Sequence, residues 1–587
     1  MNKKYILALI IVLFIWTVDA SIIGKKIEEI SDEKDVKTIH LDEEFWINDE
    51  RSSSLDDVDW WTMYHHDKEN SGYSSSNAPH TSNIRWTQEA PYYIDLSSPA
   101  IVDGRLYIGA SDTFFKEEFL FKRNIDIFDV IKEKKQSRYY YGLYCYNAET
   151  GSLIWEHLTL GMVDSSPAVY NDRVYFVSTN YRFATLHCVY AQNGSELWND
   201  SINNFSFCSP TVANGFVYVM SLNTDNNSGN VYCYGAETGH REWMFPLATN
   251  EYPPLLSPTV AFSNGLVYFI SFKEENSHGT LYCLDAETGI EEWHFDLGWN
   301  SEFYSASPVC VNGMVFACGL HEVTSRERVF CLDAETGDTN WVYYLPSPSY
   351  ILSTPACDFE RLYFVAIDVM YLSTIWYCID IESGRIQWSR LLGSYETIMC
   401  SPAVADGKLY FGSWDGTMYC LDTTDSHTIW TYGTYDMIVS SPAIADNRMY
   451  IATLHYVYAF EDPPNDPPNK PTITGEINGK AGESYAYTFV ATDPDVNNVW
   501  YFIEWGDNQF EEWIGSYESG EAVMLEHSWD EEATYTIKAK AKDIYDAESE
   551  WATLTVSMPK NKVLTSSLFL RFLERFPILQ KFLILIN

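Results

Sequence analysis

One phrase recurs through the middle of the chain and limits what it can become. "LYCLDAETGIEEW" (Leu281 to Trp293) has close copies in "LYCYNAETGSLIW", "LHCVYAQNGSELW", "VYCYGAETGHREW", "VFCLDAETGDTNW" and "WYCIDIESGRIQW", and a degraded copy in "MYCLDTTDSHTIW". The closing tryptophans fall at 155, 198, 243, 293, 341, 388 and 430. A second anchor recurs between them, a Ser/Thr-Pro pair whose prolines are Pro99, Pro167, Pro210, Pro258, Pro308, Pro355, Pro402 and Pro442. A fixed period of about 40 to 50 residues marks repeated supersecondary units that bury their cores against one another.

Each unit reads as four short strands. After the anchor come a short apolar piece, a turn such as "ADG" or "SNG", and an alternating strand such as "KLYFGSW" (Lys408 to Trp414). In "LYCLD", Leu281 and Cys283 share one face, and Tyr282 and Leu284 share the other. "AETG" is a hairpin turn in which Gly289 supplies a positive φ. Gly151, Gly194, Gly239, Gly337 and Gly384 hold the same place in other copies. Val, Tyr, Thr and Trp dominate, which suits strands and argues against a helical solenoid. Four strands in a unit of this length is the period of a β-propeller blade. After Pro442 three strands follow without a return, and near the start "NIRWTQEA" carries Trp86 with no blade before it. The N-terminal strand is expected to complete the last blade. The expectation is an all-β, eight-bladed ring that leaves no free edges.

"LDAETGxxxW" together with "SPxxxxGxxY" resembles the repeat of the pyrroloquinoline-quinone (PQQ)-type propellers. That family includes quinoprotein alcohol dehydrogenases and the non-enzymatic scaffold lipoprotein of the bacterial outer-membrane β-barrel assembly machinery. The lead-in "WWTMYHHDKENSGYSSS" (Trp60 to Ser76) is also similar to family lead-ins. The resemblance implies inter-blade docking for Trp86, Trp155, Trp198, Trp243, Trp293, Trp341, Trp388 and Trp430. For an enzyme it would imply PQQ and Ca²⁺ at the axis, an Asp base, Glu/Asn/Asp ligands and an adjacent Cys-Cys disulfide.

The chain has no Cys-Cys pair and no CxxCH haem site. It has no GxSxG, HExxH or P-loop, and no GxGxxG after a strand. No catalytic residue is therefore assigned and no cofactor is predicted; a PQQ- and Ca²⁺-dependent dehydrogenase stays as the alternative. His65, His66 and Asp67 could be a catalytic fragment, set against a packing or capping role in the lead-in.

Other segments set the domain limits. Residues 1–20 read as a signal peptide, with Lys3 and Lys4 before an apolar stretch and small residues ahead of Ser21. An acidic spacer (21–56) leads to the propeller (57–461), whose first blade holds a charged insertion at 111–139. A Pro-rich linker (462–471) is stiff and extended. Residues 472–557 resemble a polycystic-kidney-disease (PKD) domain, an immunoglobulin-like β-sandwich, through "WGD" (Trp505 to Asp507), "HSW" (His527 to Trp529) and "TYTIKAKAKD" (Thr534 to Asp543). The chain departs from that pattern at Asn508 and Ala533, where glycine is usual.

The loop "DPDVNN" mimics a calcium-binding loop, with Asp493, Asp495, Asn497 and Glu504 at ligand spacing. The glycine such a loop needs is replaced by Asn498. Asp493 and Asp495 are the metal candidates, against the plainer reading of a loop feeding a strand. The tail (558–587) is apolar but interrupted by charges and a proline, as an amphipathic interfacial segment would be.

Twelve cysteines in an exported chain invite disulfides. Seven of them, Cys145, Cys188, Cys233, Cys283, Cys331, Cys378 and Cys420, occupy one equivalent place and are read as core filler. One bridge among Cys208, Cys310, Cys318, Cys357 and Cys400 stays open. A net charge of −44 argues against nucleic acid as a partner. The expected function is that of a secreted or cell-surface binding or scaffold protein, a monomer whose partners are other surface proteins or glycans. The second alternative is a carbohydrate-binding surface protein.

Overall fold

The computed structural model describes residues 58–558 apart from 112–140, 181–182, 204, 224–226, 255–258, 275–276, 300–305, 321–325, 369, 372 and 395–399, and also residue 575. The expected signal peptide and acidic spacer lie outside the described residues. So do the first-blade insertion beyond Ser111 and the tail apart from Met558 and Arg575. The chain divides into two compact units, 1–462 and 463–587.

In the first unit the described residues form eight four-stranded antiparallel groups, or sheets, of which the fourth and fifth are joined in one nine-stranded sheet through a Trp299–Leu320 pair. The first sheet contains Ala100–Val102, Arg105–Ala110, Tyr141–Asn147 and Leu153–Thr159, in that order across the sheet. Six more repeat the order over residues 168–201, 211–246, 261–299, 309–344, 356–394 and 403–433. The eighth joins both ends of the unit. Ala443–Ala445, Arg448–Ala452 and Tyr456–Glu461 supply three strands, and Ile84–Glu89 supplies the outer one, with Thr87 opposite Tyr458. The first strand of each sheet lies beside those of the sheets before and after it. The cycle closes where Ala443–Ala445 meets Ala100–Val102. This is a β-propeller with the first strands around its axis.

Burial corrects one detail of the sequence reading. Lys408–Gly412 does not alternate, because all five residues are buried, and Leu281, Tyr282, Cys283 and Leu284 are buried alike. Sheets stacked face to face cover both sides of their inner strands, so those strands carry continuous apolar runs. Period two survives on the outer strands, as in Arg241–Pro246, where from Glu242 onward exposed and half-buried residues alternate.

The seven equivalent cysteines are fully buried. Cys283 lies directly across from Tyr268 on one side and Trp293 on the other, and these two rings have centroids 5.9 Å apart. In the eighth sheet Ala459 takes this place between Tyr450 and Trp86. A small side chain is what fits between two large rings. All twelve cysteines are buried and free, so the bridge left open in sequence is not made. Burial pushes the Cys283 thiol up to about 12, which keeps it protonated at neutral pH.

The second unit is a β-sandwich. Thr472–Gly475, Ser484–Val490 and Val523–Ser528 form one sheet, and Phe510–Tyr517, Val499–Glu504, Thr534–Lys542 and Ala552–Ser557 form the other. Trp505 and Trp529 are buried in its core. Asn508, where the resembled pattern has glycine, holds a φ of +70°, a conformation asparagine tolerates.

Candidate functional site

The repeated residues meet at the joints between sheets. Trp155 donates its indole N–H to the Ala191 carbonyl of the next sheet at 3.0 Å. Trp86, Trp198, Trp243, Trp293, Trp341 and Trp388 do the same to Ala148, Ala236, Ala286, Ala334, Ile381 and Thr423, at 2.8–3.2 Å. Trp430 has no such turn to meet and donates to the Pro79 carbonyl instead, at 3.3 Å.

Gly194 shows why glycine stands in the turn. Its φ is +70°, and a Cβ would lie 2.5 Å from the Trp155 ring. Gly151, Gly239, Gly289, Gly337 and Gly384 face Trp86, Trp198, Trp243, Trp293 and Trp341 in the same way. Sequence reading missed a second donor. Tyr107, Tyr175, Tyr218 and Tyr268 send their hydroxyls to the same alanine carbonyls as the tryptophans, at 2.9–3.3 Å. Tyr107, Tyr218 and Tyr268 sit in the "GxxY" part of the repeat, and Tyr175 holds the same place with Asp172 where the others have glycine, so the signal was present.

The Ser/Thr-Pro anchors converge on the axis. The Ser98 amide donates to Ser166 Oγ, Ser166 to Ser209, Thr259 to Ser307, Ser307 to Thr354, Thr354 to Ser401, Ser401 to Ser441, and Ser441 back to Ser98, all at 2.9–3.0 Å. Ser209 and Thr259 meet through a parallel backbone bridge instead. In the fourth sheet Thr259 therefore holds the place that the sequence assigned to the residue before Pro258. Two extra residues between that proline and the "SNG" turn shift the anchor.

The lead-in threads this ring. Carbonyls of Trp61, Thr62, Lys68, Glu69, Ser71 and Gly72 accept the amides of Ile101, Val169, Phe262, Cys310, Cys357 and Val404, one on each of six first strands. Tyr64 hydroxyl reaches Ser401 Oγ at 2.8 Å and Thr354 Oγ1 at 3.1 Å. Asn70, fully buried with a φ of +58°, donates to the Pro308 carbonyl at 3.1 Å and the Val260 carbonyl at 3.4 Å. Tyr73–Ser74 then runs parallel to Val404–Ala405.

His65, His66 and Asp67 lie within this segment. His65 is buried between the Asn70 carbonyl (2.6 Å) and the Pro402 carbonyl (3.0 Å), and burial pushes it down to about 4. His66 Nδ1 lies 3.2 Å from Asp67, and its Nε2 lies 3.3 Å from Asp59, an ion pair rather than an aligned hydrogen bond. Burial alone would lower His66, but the two carboxylates outweigh it and raise the group to about 9. Asp67 also caps the Ser71 amide at 3.0 Å. The three residues tie down the lead-in and form no nucleophile–base pair.

A pH dependence follows. His66 contributes stability below its ordinary value of 6.5 and loses it as pH rises through about 9. Asp59 and Asp67 are held below the usual carboxylate range, so their contribution is lost on strong acidification. The His66 ring resonances are expected to titrate near pH 9. Proteolytic protection of the lead-in is expected to fall between pH 6.5 and 9.

Two carboxylates stand buried where the insertion leaves the first sheet. Burial and the charge of Asp95 hold Asp164 well above its usual range. Ser111 Oγ donates to Asp164 Oδ1 at 3.3 Å, and Oδ2 has no partner among the described residues. In the second unit, Asp493 Oδ1 accepts the amides of Asp495 and Asn497, and Asp495 accepts that of Asp466. Glu504 sits on a strand, paired with Lys538 at 3.0 Å. Asp493 Oδ2 is buried without a hydrogen-bond partner among the described residues.

A family model described as outer membrane protein assembly factor BamB matches residues 141–268, 227–366, 278–399 and 372–463. These overlapping matches span more than half of the chain, which belongs to this family of PQQ-type β-propeller repeat proteins. Among solved structures, the quinohemoprotein alcohol dehydrogenase of Comamonas testosteroni is similar, with a TM-score of 0.52, 12% identity, and cover of 70% of this chain and 82% of that one. The corresponding enzyme of Pseudomonas putida HK5 gives a TM-score of 0.51 and 12% identity over 72% and 84%. At that identity the likeness is one of fold. The PKD domain of an M14-like peptidase from Thermoplasmatales archaeon SCGC AB-540-F20 is 58% identical over 16% of this chain and all of that one, with a TM-score of 0.16. No protein of curated function matches the chain in sequence.

Proposed function

We propose that this is an exported, cell-surface binding or scaffold protein whose eight-bladed propeller is a non-enzymatic interaction platform and whose PKD-like sandwich is a spacer or second contact module. One observation carries the reading. The axial anchors are joined sheet to sheet by seven amide-to-hydroxyl bonds and one backbone bridge, and the ring is threaded by the chain's own lead-in, whose backbone bonds to six of the first strands. That arrangement spends most of the convergent anchor hydroxyls of the axis on structure, and so favours partners that approach from outside.

Membership of a family described by an assembly factor and the signal-like leader point the same way. Other surface proteins are the expected partners. The sandwich adds a glycan reading: Phe510 and Trp551 are exposed on one sheet, with Lys540 over Trp551 and Trp513.

The test is a thermal melt and absorbance spectrum of the mature protein with PQQ plus Ca²⁺. No change in melting temperature and no quinone absorbance is the expected result. A co-purifying quinone or a clear rise in melting temperature would replace this reading with a dehydrogenase.

A further inference from the structure

Three side chains of metal-ligand type converge at the rim between the first and second sheets. His157 stands on the outer strand of the first sheet, Leu153–Thr159. His187 lies on Ala184–Tyr190 and Glu196 on Glu196–Ser201, both of the second sheet. One ligand atom from each lies within 4.8 Å of the other two.

The repeat itself shows that this spot is unusual. Two residues after the repeat tryptophan, other joints place an aromatic ring against the middle aromatic of the next "LYC" strand. Phe245 meets Tyr282 at 5.8 Å, Phe295 meets Phe330 at 5.2 Å, and Tyr343 meets Tyr377 at 6.3 Å. At the first joint both partners are imidazoles, His157 and His187, 5.9 Å apart. Packing alone needs no nitrogen at either place.

The nitrogens are already oriented. His157 Nδ1 lies 2.9 Å from the Gly194 carbonyl, which only accepts, so Nδ1 carries the hydrogen and the neutral ring keeps its lone pair on Nε2. Without an ion His187 Nδ1 donates to the Glu196 carboxylate; an ion would replace that hydrogen, and the buried Ser178 hydroxyl, 2.9 Å from Nε2, can then take the hydrogen of the other nitrogen. A tetrahedral ion with bonds of about 2.0–2.1 Å holds its ligand atoms roughly 3.3 Å apart; His187 Nδ1 and Glu196 Oε1 are 3.0 Å apart, and all three ligand atoms lie within 4.8 Å of one another.

We propose that His157, His187 and Glu196 form a binding site for a borderline divalent ion, Zn²⁺ first, that clips the outer strands of the first and second sheets together. Two imidazoles and a carboxylate are a set that suits Zn²⁺ and disfavours Ca²⁺ or Mg²⁺. The Gly194 carbonyl and Ser178 act behind the ligands, holding ring orientation and tautomer. Burial keeps His187 below its ordinary range, hence neutral and able to ligate. Glu196 is exposed, so the fourth position opens to water.

The experiment uses untagged mature protein, with Zn²⁺ titrated by calorimetry and Co²⁺ as a visible reporter of tetrahedral geometry. One Zn²⁺ per chain, a raised melting temperature and an intense Co²⁺ spectrum are expected, with no response to Ca²⁺. His157→Phe restores the aromatic pair of the other joints and should fold. It and Glu196→Gln should each weaken Zn²⁺ binding by at least about 10-fold and abolish the Co²⁺ spectrum. Absence of stoichiometric binding in the parent overturns the proposal. So does unchanged affinity in His157→Phe, which would place the ion elsewhere, for instance at the exposed Asp422, Asp425 and His427.

Discussion

Trp155→Ala is expected to lower the unfolding free energy of the first unit by about 3–5 kcal/mol, the range for removing a large buried aromatic. Trp155 is only 9% exposed, donates to the Ala191 carbonyl and lies flat on Gly194. The rigid turn beneath it cannot collapse into the vacated space. Tyr107 still reaches the same carbonyl at 3.3 Å, so the loss is mainly one of packing. Trp155→Phe separates the two terms, since it keeps most of the ring and removes a hydrogen bond worth about 1 kcal/mol. Guanidinium unfolding followed by circular dichroism measures both variants. A cost for Trp155→Ala near 1 kcal/mol would show that the ring does not wedge the joint.

Asn70→Leu is expected to cost on the order of 3 kcal/mol or more. It leaves the buried Pro308 carbonyl without its side-chain donor, while the Val260 carbonyl keeps the Thr211 hydroxyl, and it forces a γ-branched residue into a left-handed conformation. Asn70→Gly keeps that conformation available and isolates the loss of the side-chain bonds. Hydrogen exchange supplies the local readout. The amides of Phe262 and Cys310, bonded to Lys68 and Glu69 carbonyls, should exchange faster in Asn70→Leu while outer-strand amides change less. Uniform acceleration would mean that the lead-in unfolds only with the whole ring.

The joints were legible in the sequence because each is written by residues within one phrase. Trp293, Cys283 and Gly289 recur together, and their recurrence is a direct trace of the stacking geometry. The strand Ile84–Glu89 could be assigned to the last sheet because one unit lacked a return and one tryptophan lacked a unit. The lead-in was harder. Its bonds are mostly through backbone carbonyls, which any sequence possesses, so "KENSG" carries little sign of its path among the first strands.

The anchor in the fourth sheet was misplaced for a similar reason. Pro258 draws the eye, whereas the geometry follows the distance back from the turn and selects Thr259. Alternation was over-read in Lys408–Gly412, since hydrophobic period depends on which faces are covered, and stacking covers both. His157, His187 and Glu196 escaped notice because their meeting depends on two sheets lying side by side. Within each repeat they look like ordinary exceptions to the pattern.

The pairing of Ile84–Glu89 with Tyr456–Glu461 has a consequence in time. A ribosome delivers one of these strands hundreds of residues before the other. Joining ends so far apart adds only logarithmically to the entropy of closure, but such non-local pairing makes folding slow. Until residue 461 has been made, the early strand has no partner and the unfinished circle ends in an open edge. The nascent chain therefore stays unsealed up to that point. Any handling that requires an extended polypeptide has that interval in which to act, and closure ends it.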